Sequence, residues 1–244
     1  MKEKLINENI KILEWDTNLF GYKVALLDTQ IAKNFELDFL KQKLTKNNVK
    51  LLYIFKNPVE TNIEGQLEKL GATKVDEKIT YHKYINNEPE EYFISEIVPF
   101  NSRLVNDHLL SLALQSGLYS RFNTDSHFKN NEYFKLYSKW IERSVRKEIA
   151  DEVLVFADSG GEYGMITLKI NKNTGTIGLF AVDKDMRGKS VGKKLVKASE
   201  KLFLNKKVDE IFVATQNENV SACKFYESNG FTVHNKKIVY HLWL

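Results

Sequence analysis

Apolar residues recur with two different periods along the chain, and the switches between those periods mark out its elements. Alternating or continuous apolar runs at 23–27 and 50–55 predict strands, while apolar residues three and four apart at 35–46 and 63–70 predict helices. That first stretch alternates α and β. Further on, the order is a strand at 92–98, helices at 104–116 and 132–148, and three strands at 153–157, 164–170 and 175–182. The turns joining those three strands, Ser159-Gly160-Gly161 and Asn171-Lys172-Asn173-Thr174, have hairpin chemistry and predict an antiparallel meander. An amphipathic helix at 190–204, a strand at 209–215, a short helix at 220–228 and a closing strand at 237–243 complete the pattern. The fold class is therefore α/β of the α+β kind, a mixed and mostly antiparallel sheet flanked by helices.

The polar run Asn86-Asn87-Glu88-Pro89-Glu90-Glu91 interrupts this pattern and predicts a domain boundary. It leaves a smaller α/β domain over 1–87 and a larger one over 88–244. The two are related by an internal similarity. Laying Tyr226 to Leu244 over Leu67 to Ile85, an offset of 159, matches Glu68, Gly71, Thr73, Lys78, Ile79, Tyr81 and His82 with identical residues. Either the first half is a diverged copy of the second, or two helix–Gly–strand units agree by chance.

Composition narrows the class without naming a partner. The 244 residues are 43% hydrophobic, 12% aromatic and 28% charged, which excludes collagen-like, coiled-coil and low-complexity chains. With 36 basic against 32 acidic residues the net charge is +4, and no clustered basic patch argues for nucleic acid. The single Cys223 excludes a disulfide framework and a cysteine-based metal site, and fits a reducing, cytoplasmic setting. No apolar run reaches the ~18 residues of a membrane-spanning helix, and MKEKLINENI does not read as a signal peptide.

The chemistry is concentrated between residues 178 and 231. A strand carrying Phe180, Ala181 and Val182 runs through Asp183-Lys184-Asp185-Met186 into Arg187-Gly188-Lys189-Ser190-Val191-Gly192, where a helix opens. Small residues at a strand-to-helix turn let main-chain N–H groups converge, and the helix N-terminus adds positive potential. Such a turn makes an anion cradle suited to a pyrophosphate, with Arg187 and Lys189 adding charge. It is not the dinucleotide fingerprint, because the strands before it form a meander. A Walker loop is excluded too, since Asp183 stands where its first glycine would be.

Together with Asn219-Val220-Ser221-Ala222-Cys223-Lys224-Phe225-Tyr226-Glu227-Ser228-Asn229-Gly230-Phe231, this segment resembles the GNAT superfamily of acyl-CoA-dependent N-acetyltransferases. The resemblance covers 92–244 in element order and 178–231 in motifs. One departure is Ser190, where the family commonly has Gly; a serine still offers its backbone N–H. The resemblance implies acetyl-CoA as co-substrate and no metal. It implies that Arg187, Gly188, Lys189, Ser190, Val191 and Gly192 hold the pyrophosphate. The main chain of Phe180, Ala181 and Val182, freed where the strand splays from its neighbour, would bind the pantetheine arm and the acetyl carbonyl, with Asn219 and Phe225 also lining the cofactor. Asn219 is equally a good helix N-cap.

Acyl transfer from a thioester to an amine needs a neutral nucleophile, a stabilised oxyanion and a proton for the leaving thiolate. By family position Tyr226 is the general acid. No carboxylate or histidine lies on the 175–182 strand to serve as base, and an amino-sugar amine, less basic than lysine, has less need of one. His127, Asp125 and Asp107 are weak candidates for that role.

Three further stretches resemble the nucleotide-aminosugar N-acetyltransferases, dTDP-fucosamine acetyltransferases among them. They are Trp15-Asp16-Thr17-Asn18-Leu19-Phe20-Gly21, Ser120-Arg121-Phe122 and Val213-Ala214-Thr215-Gln216. This narrower resemblance implies acetylation of a nucleotide-linked 4-amino-4,6-dideoxyhexose for surface polysaccharide. Arg121 would then fork onto the diphosphate, its alternative being a structural salt bridge, and Trp15 and Phe20 would wall the sugar or base, their alternative being core packing beside a turn. Competing readings are a peptide, amino-acid or polyamine acetyltransferase, and a non-catalytic acyl-CoA-binding module. The first half has no counterpart of 187–192, so it is expected to bind no coenzyme A and instead to wall the acceptor side or build a homodimer.

Overall fold

The computed structural model describes residues 5–7, 10–29, 37–86 and 96–244. The stretch read as a domain boundary, the start of the strand read at 92–98 and the start of the helix read at 35–46 lie outside the described residues.

Two compact units emerge, and they are not consecutive halves of the chain. Unit 1 comprises residues 1–79 with 216–218 and 235–244; unit 2 comprises 80–215 with 219–234. A cut at 87/88 therefore differs from the observed division at 80–87 and again over 216–218 and 235–244. Each half of the chain hands the end of its last strand to the other unit, an exchange that local hydrophobic period does not encode.

Unit 1 contains β1 (Leu5–Asn7), β2 (Ile10–Ile12), α1 (Glu14–Phe20), β3 (Lys23–Asp28), α2 (Leu37–Lys46), β4 (Val49–Lys56), α3 (Glu64–Leu70) and the first part of β5 (Thr73–Tyr84). Most of β11 (Thr232–Trp243) completes it, pairing antiparallel with β4 from Ile238↔Lys56 to Trp243↔Leu51. β3 and β4 are parallel and stay paired to Asp28↔Phe55, with Thr29 N–H donating to the Phe55 carbonyl just beyond. The core gathers Leu40 and Leu44 of α2, Leu67 of α3, and Leu52, Ile54 and Leu242 of the sheet.

Unit 2 takes the end of β5, then β6 (Ile97–Pro99), α4 (Asp107–Ser116), α5 (Arg121–Thr124), α6 (Glu132–Val145), β7 (Glu152–Asp158), β8 (Gly161–Asn171), β9 (Thr174–Val182), α7 (Val191–Asn205), β10 (Glu210–Gln216) and α8 (Val220–Ser228). The strand order is β5-β10-β9-β8-β7-β6. β7, β8 and β9 pair antiparallel as their hairpin turns demand, β6 pairs antiparallel with β7 across three intervening helices, and β10 joins β9 in parallel after the α7 crossover. A Cβ on Gly175 would meet Phe203 of α7, and one on Gly178 would approach Trp140 of α6. The two helices thus cover opposite faces of the sheet. Among the described residues no helix is long and apolar enough to cross a membrane.

The offset of 159 extends well beyond the aligned sequence. It superposes the ends of α2 and α7 (Lys46 on Asn205), and both ends of β5 and β11. Asn48 and Lys207 both take left-handed backbone, with φ of 56° and 61°, and Gly71 and Gly230 match at 88° and 81°. The turn bonds correspond as well: Asn48 N–H donates to the Thr45 carbonyl as Lys207 N–H does to that of Leu204. Ala72 N–H donates to the Leu67 carbonyl as Phe231 N–H does to that of Tyr226. Agreement of backbone signs and bonds at one constant offset favours a duplicated unit over chance.

Candidate active site

The site is built where β9 leaves its neighbours. The parallel ladder to β10 runs from Thr174↔Glu210 to Ile177↔Val213, yet β9 continues to Val182 and β10 to Gln216. A bulge on the other side gives the bend its cause. Ile166 pairs with Phe180 and Leu168 with Ile177, so two residues of β9, Gly178 and Leu179, oppose Thr167 alone. The buried Thr167 hydroxyl closes the bulge by accepting from Leu179 N–H at 2.8 Å. Only glycine fits beside it, because a Cβ on Gly178 would lie 2.7 Å from Thr167 Oγ1. Past the bulge, alternate residues of β9 turn main-chain groups to the β10 side, where the ladder has ended. In unit 1 the corresponding parallel pair, β3 and β4, stays paired to its end, so no such cleft opens there.

Beyond Val182 the chain makes a short 3₁₀ turn, Lys184–Met186. Asp183 caps it by accepting from Asp185 N–H at 3.0 Å, and that bond holds the carboxyl below its usual pKa. Arg187 folds back, donating from Nε to the Val182 carbonyl at 3.0 Å and from Nη2 to Gln115 Oε1 at 3.4 Å. This qualifies two sequence expectations. The Val182 carbonyl already has a donor, and the Arg187 guanidinium anchors the turn in this structure. Gly188 and Ser190 both have positive φ, 76° and 62°, which brings Lys189 and Ser190 to the start of α7. Ser190 makes no side-chain cap. The first bond of the helix is Lys194 N–H to the Ser190 carbonyl, so the N–H groups of Val191, Gly192 and Lys193 precede any intrahelical acceptor. They face outward with the positive end of the helix dipole. Gly192 brings α7 close to the aromatic cluster, since a Cβ there would lie 3.1 Å from the Phe225 ring and 3.5 Å from Phe180.

Helix α8 supplies the remaining groups. Asn219 is its N-cap, accepting from Ala222 N–H at 3.2 Å, so the structural reading of that residue is realised. Seven residues on, Tyr226 is 4% exposed and ringed by Phe180, Phe225 and Phe231 with centroids 6.2, 5.6 and 5.7 Å away. Burial, and secondarily Cys223, pushes its pKa above the ordinary tyrosine value, so the phenol stays protonated through neutral pH. Phe180, Gly192, Phe225 and Tyr226 therefore converge on one region of unit 2, and Asn219 starts the helix that carries the last two.

The residues expected to touch an acceptor lie on other elements, α5 and α1. Arg121 starts α5 in unit 2, its guanidinium 4.4 Å over the Phe122 ring. Trp15 and Phe20 sit on α1 of unit 1. Trp15 is 36% exposed, but Phe20 is 7% exposed and packs on Tyr22 with centroids 5.8 Å apart. Phe20 is thus a core side chain and offers no face for stacking a sugar. His127, exposed in the loop after α5, meets the buried Asp125 carboxylate at 2.8 Å, whereas Asp107 sits exposed in the first turn of α4. Sequence reasoning missed Tyr81, whose hydroxyl donates to Glu227 Oε1 at 2.9 Å and whose ring lies 5.8 Å from Tyr226. The only signal was its place in the repeat. Among the described residues no three His, Cys, Asp or Glu side chains are grouped to hold a metal ion.

Comparison with known proteins agrees with this geometry. The profile of the acetyltransferase (GNAT) family matches residues 116–231, which span the bulge, the turn and both helices of the site. Residues 116–231 are a GNAT acetyltransferase domain. N-alpha-acetyltransferase 30 of Schizosaccharomyces pombe is 29% identical over 111 residues, 43% of this chain and 74% of that protein. The GCN5-related N-acetyltransferase of Sphaerobacter thermophilus has the same fold at a TM-score of 0.61, with 11% identity over 96% of this chain and 76% of that one. A functionally unknown conserved protein of Staphylococcus epidermidis gives 0.62, with 12% identity over 98% and 94%. Both likenesses extend through the first half of the sequence. The matched segment, just under half of the chain, is thus of the GNAT N-acetyltransferase type.

Proposed function

We propose that the protein transfers the acetyl group of acetyl-CoA directly to an amine, without a covalent enzyme intermediate, at the end of the β9–β10 ladder. The observation that carries this reading is the bulge at Thr167, which bends β9 away from β10 beside the uncapped start of α7. Small residues, positive φ and outward N–H groups at 188–192 suit a pyrophosphate, and the unpaired edge of β9 near Phe180 and Ala181 suits an amide-bearing pantetheine arm.

Acetyl-CoA supplies an activated acyl thioester. The β9 main chain holds the acetyl carbonyl, and Phe180 and Phe225 exclude water from the reacting end. As the N–C bond forms and the C–S bond breaks, Tyr226 donates its proton to sulfur and regains one from solvent. The amine nitrogen loses its extra proton to water. The raised pKa of Tyr226 keeps that proton available across the working range.

For the acceptor we favour a nucleotide-linked aminodideoxy sugar, supported by the likeness of the Trp15 to Gly21, Ser120 to Phe122 and Val213 to Gln216 stretches to that group of enzymes. Arg121 is the residue we assign to the diphosphate. A second reading, a polypeptide α-amine, is favoured by the 29% identity to N-alpha-acetyltransferase 30. Incubation with acetyl-CoA and a panel of dTDP- and UDP-aminosugars, peptides and polyamines, followed by mass spectrometry, separates them. Acetylated peptides with untouched nucleotide sugars would discard the sugar acceptor.

A further inference from the structure

Tyr81 lies outside the family match at 116–231 and enters unit 2 on β5, from the half of the sequence that carries no cofactor motif. It is 1% exposed. Its hydroxyl donates to Glu227 Oε1 at 2.9 Å. Cys223, Tyr226 and Glu227 stand at i, i+3 and i+4 of α8, so one helix face presents all three to β5. The Tyr81 ring lies 5.8 Å from that of Tyr226, tilted by 40°. Of the rings around Tyr226, those of Phe180, Phe225 and Phe231 carry no hydrogen-bonding group, and Phe231 has the Lys83 ammonium 5.7 Å from its centroid. That of Tyr81 is tied at its far end by a polar bond to the next residue of the same helix.

We infer that Tyr81 is a positioning residue for Tyr226, contributed to the catalytic unit by the N-terminal half of the chain. The inference rests on the reading of Tyr226 as general acid. A phenol that must meet a developing thiolate tolerates little displacement: a misplacement of about 1 Å costs up to ~100-fold in rate. The Tyr81–Glu227 bond fixes β5 against α8 at the level of Tyr226, and the ring contact passes that constraint to the phenol.

Unit 1 provides an internal control. The offset of 159 lays Tyr240 on Tyr81, Glu68 on Glu227 and Leu67 on Tyr226. Tyr240 is 5% exposed, and burial, then Glu64 and Glu68, raises its pKa. The tyrosine and carboxylate are present in both units, but only unit 2 has a phenol to orient.

Tyr81→Phe keeps the ring and removes the hydroxyl. With acetyl-CoA and whichever amine of the panel the unaltered protein acetylates fastest, kcat should fall by about tenfold, a 1.4 kcal/mol effect. The acetyl-CoA Kd, measured by calorimetry, should stay within about twofold, far below that effect. Tyr240→Phe should leave kcat unchanged. In a Tyr226→Phe background, Tyr81→Phe should cause no further loss. Independently of turnover, the ζ-carbon NMR resonance of Tyr226 in the acetyl-CoA complex should shift or broaden in Tyr81→Phe and stay in place in Tyr240→Phe. Losses that add fully in the double variant, an equal loss from Tyr240→Phe, or an unmoved Tyr226 resonance would overturn the inference. A Tyr226→Phe protein with undiminished kcat is a different result and overturns the general-acid reading itself.

Discussion

Replacing Thr167 with Val removes the hydroxyl that closes the β9 bulge while keeping the side chain's shape. Leu179 N–H donates to it at 2.8 Å, and both residues are 2% exposed, so the abandoned N–H finds no water. Leaving a buried donor unsatisfied costs about 1–3 kcal/mol. For a chain of this size that lowers the melting temperature by roughly 2–12 °C. The main chain has one way to recover the bond, which is to straighten and resume pairing towards β10, and that narrows the cleft. Loss of two main-chain bonds to the pantetheine arm, at roughly 0.5–1.5 kcal/mol each, weakens acetyl-CoA binding by about 5- to 150-fold. Thermal melts and calorimetric titration with acetyl-CoA read the two effects separately. Thr167→Ser keeps the oxygen and should restore most of both. A Val variant that melts early yet binds acetyl-CoA as tightly as the parent would show that the bulge stabilises the sheet without shaping the cleft.

Further outcomes follow from the same structure. Tyr226→Phe should lower kcat by about 10²- to 10⁴-fold with acetyl-CoA affinity retained, measured by initial rates and calorimetry. Because burial raises the Tyr226 pKa above its ordinary 10.0, the protonated acid persists as pH rises from 7 to 10. The alkaline fall in kcat should therefore begin only above pH 10 and vanish in Tyr226→Phe. The same raised pKa makes its stability contribution complete below the unfolded tyrosine value and lost as pH climbs through the folded one. Ser190, at φ 62°, should accept Gly with a change within about 1 kcal/mol, whereas Val, strained in left-handed backbone, should cost more than ~1 kcal/mol in a melting experiment. Phe20→Ala should destabilise by roughly 3–5 kcal/mol as a core truncation, and Trp15→Ala, 36% exposed, by far less; equal losses would show that Trp15 is packed as Phe20 is.

Much of the fold was legible because its signals are local. Hairpin turns at 159–161 and 171–174 named the meander, and helical spacing at 132–148 and 190–204 anticipated α6 and α7 to within a few residues. α1 and the pair β1 and β2 escaped notice, since three to seven residues hold too few periods to register. The resemblance of the Asn219 to Phe231 stretch pointed to Tyr226, and asparagine's capping preference to the start of α8, while the seven-residue spacing puts both on nearly one helix face.

What the sequence by itself determined is the order of elements, the repeat at an offset of 159 and the chemistry of one strand–turn–helix segment, all set by short-range periodicity and turn preference. The tertiary structure decided the rest. Which strand end completes which unit depends on pairing between residues far apart in the chain, and no local pattern records it. The pairing of Thr167 with the Gly178 bulge, the turn of Arg187 back onto Val182, the burial of Phe20 and the meeting of Tyr81 with Glu227 depend likewise on which elements pack together. That packing distinguishes the two units, for the parallel pair of unit 1 stays together to its end, whereas that of unit 2 ends early beside a bulge of one extra residue.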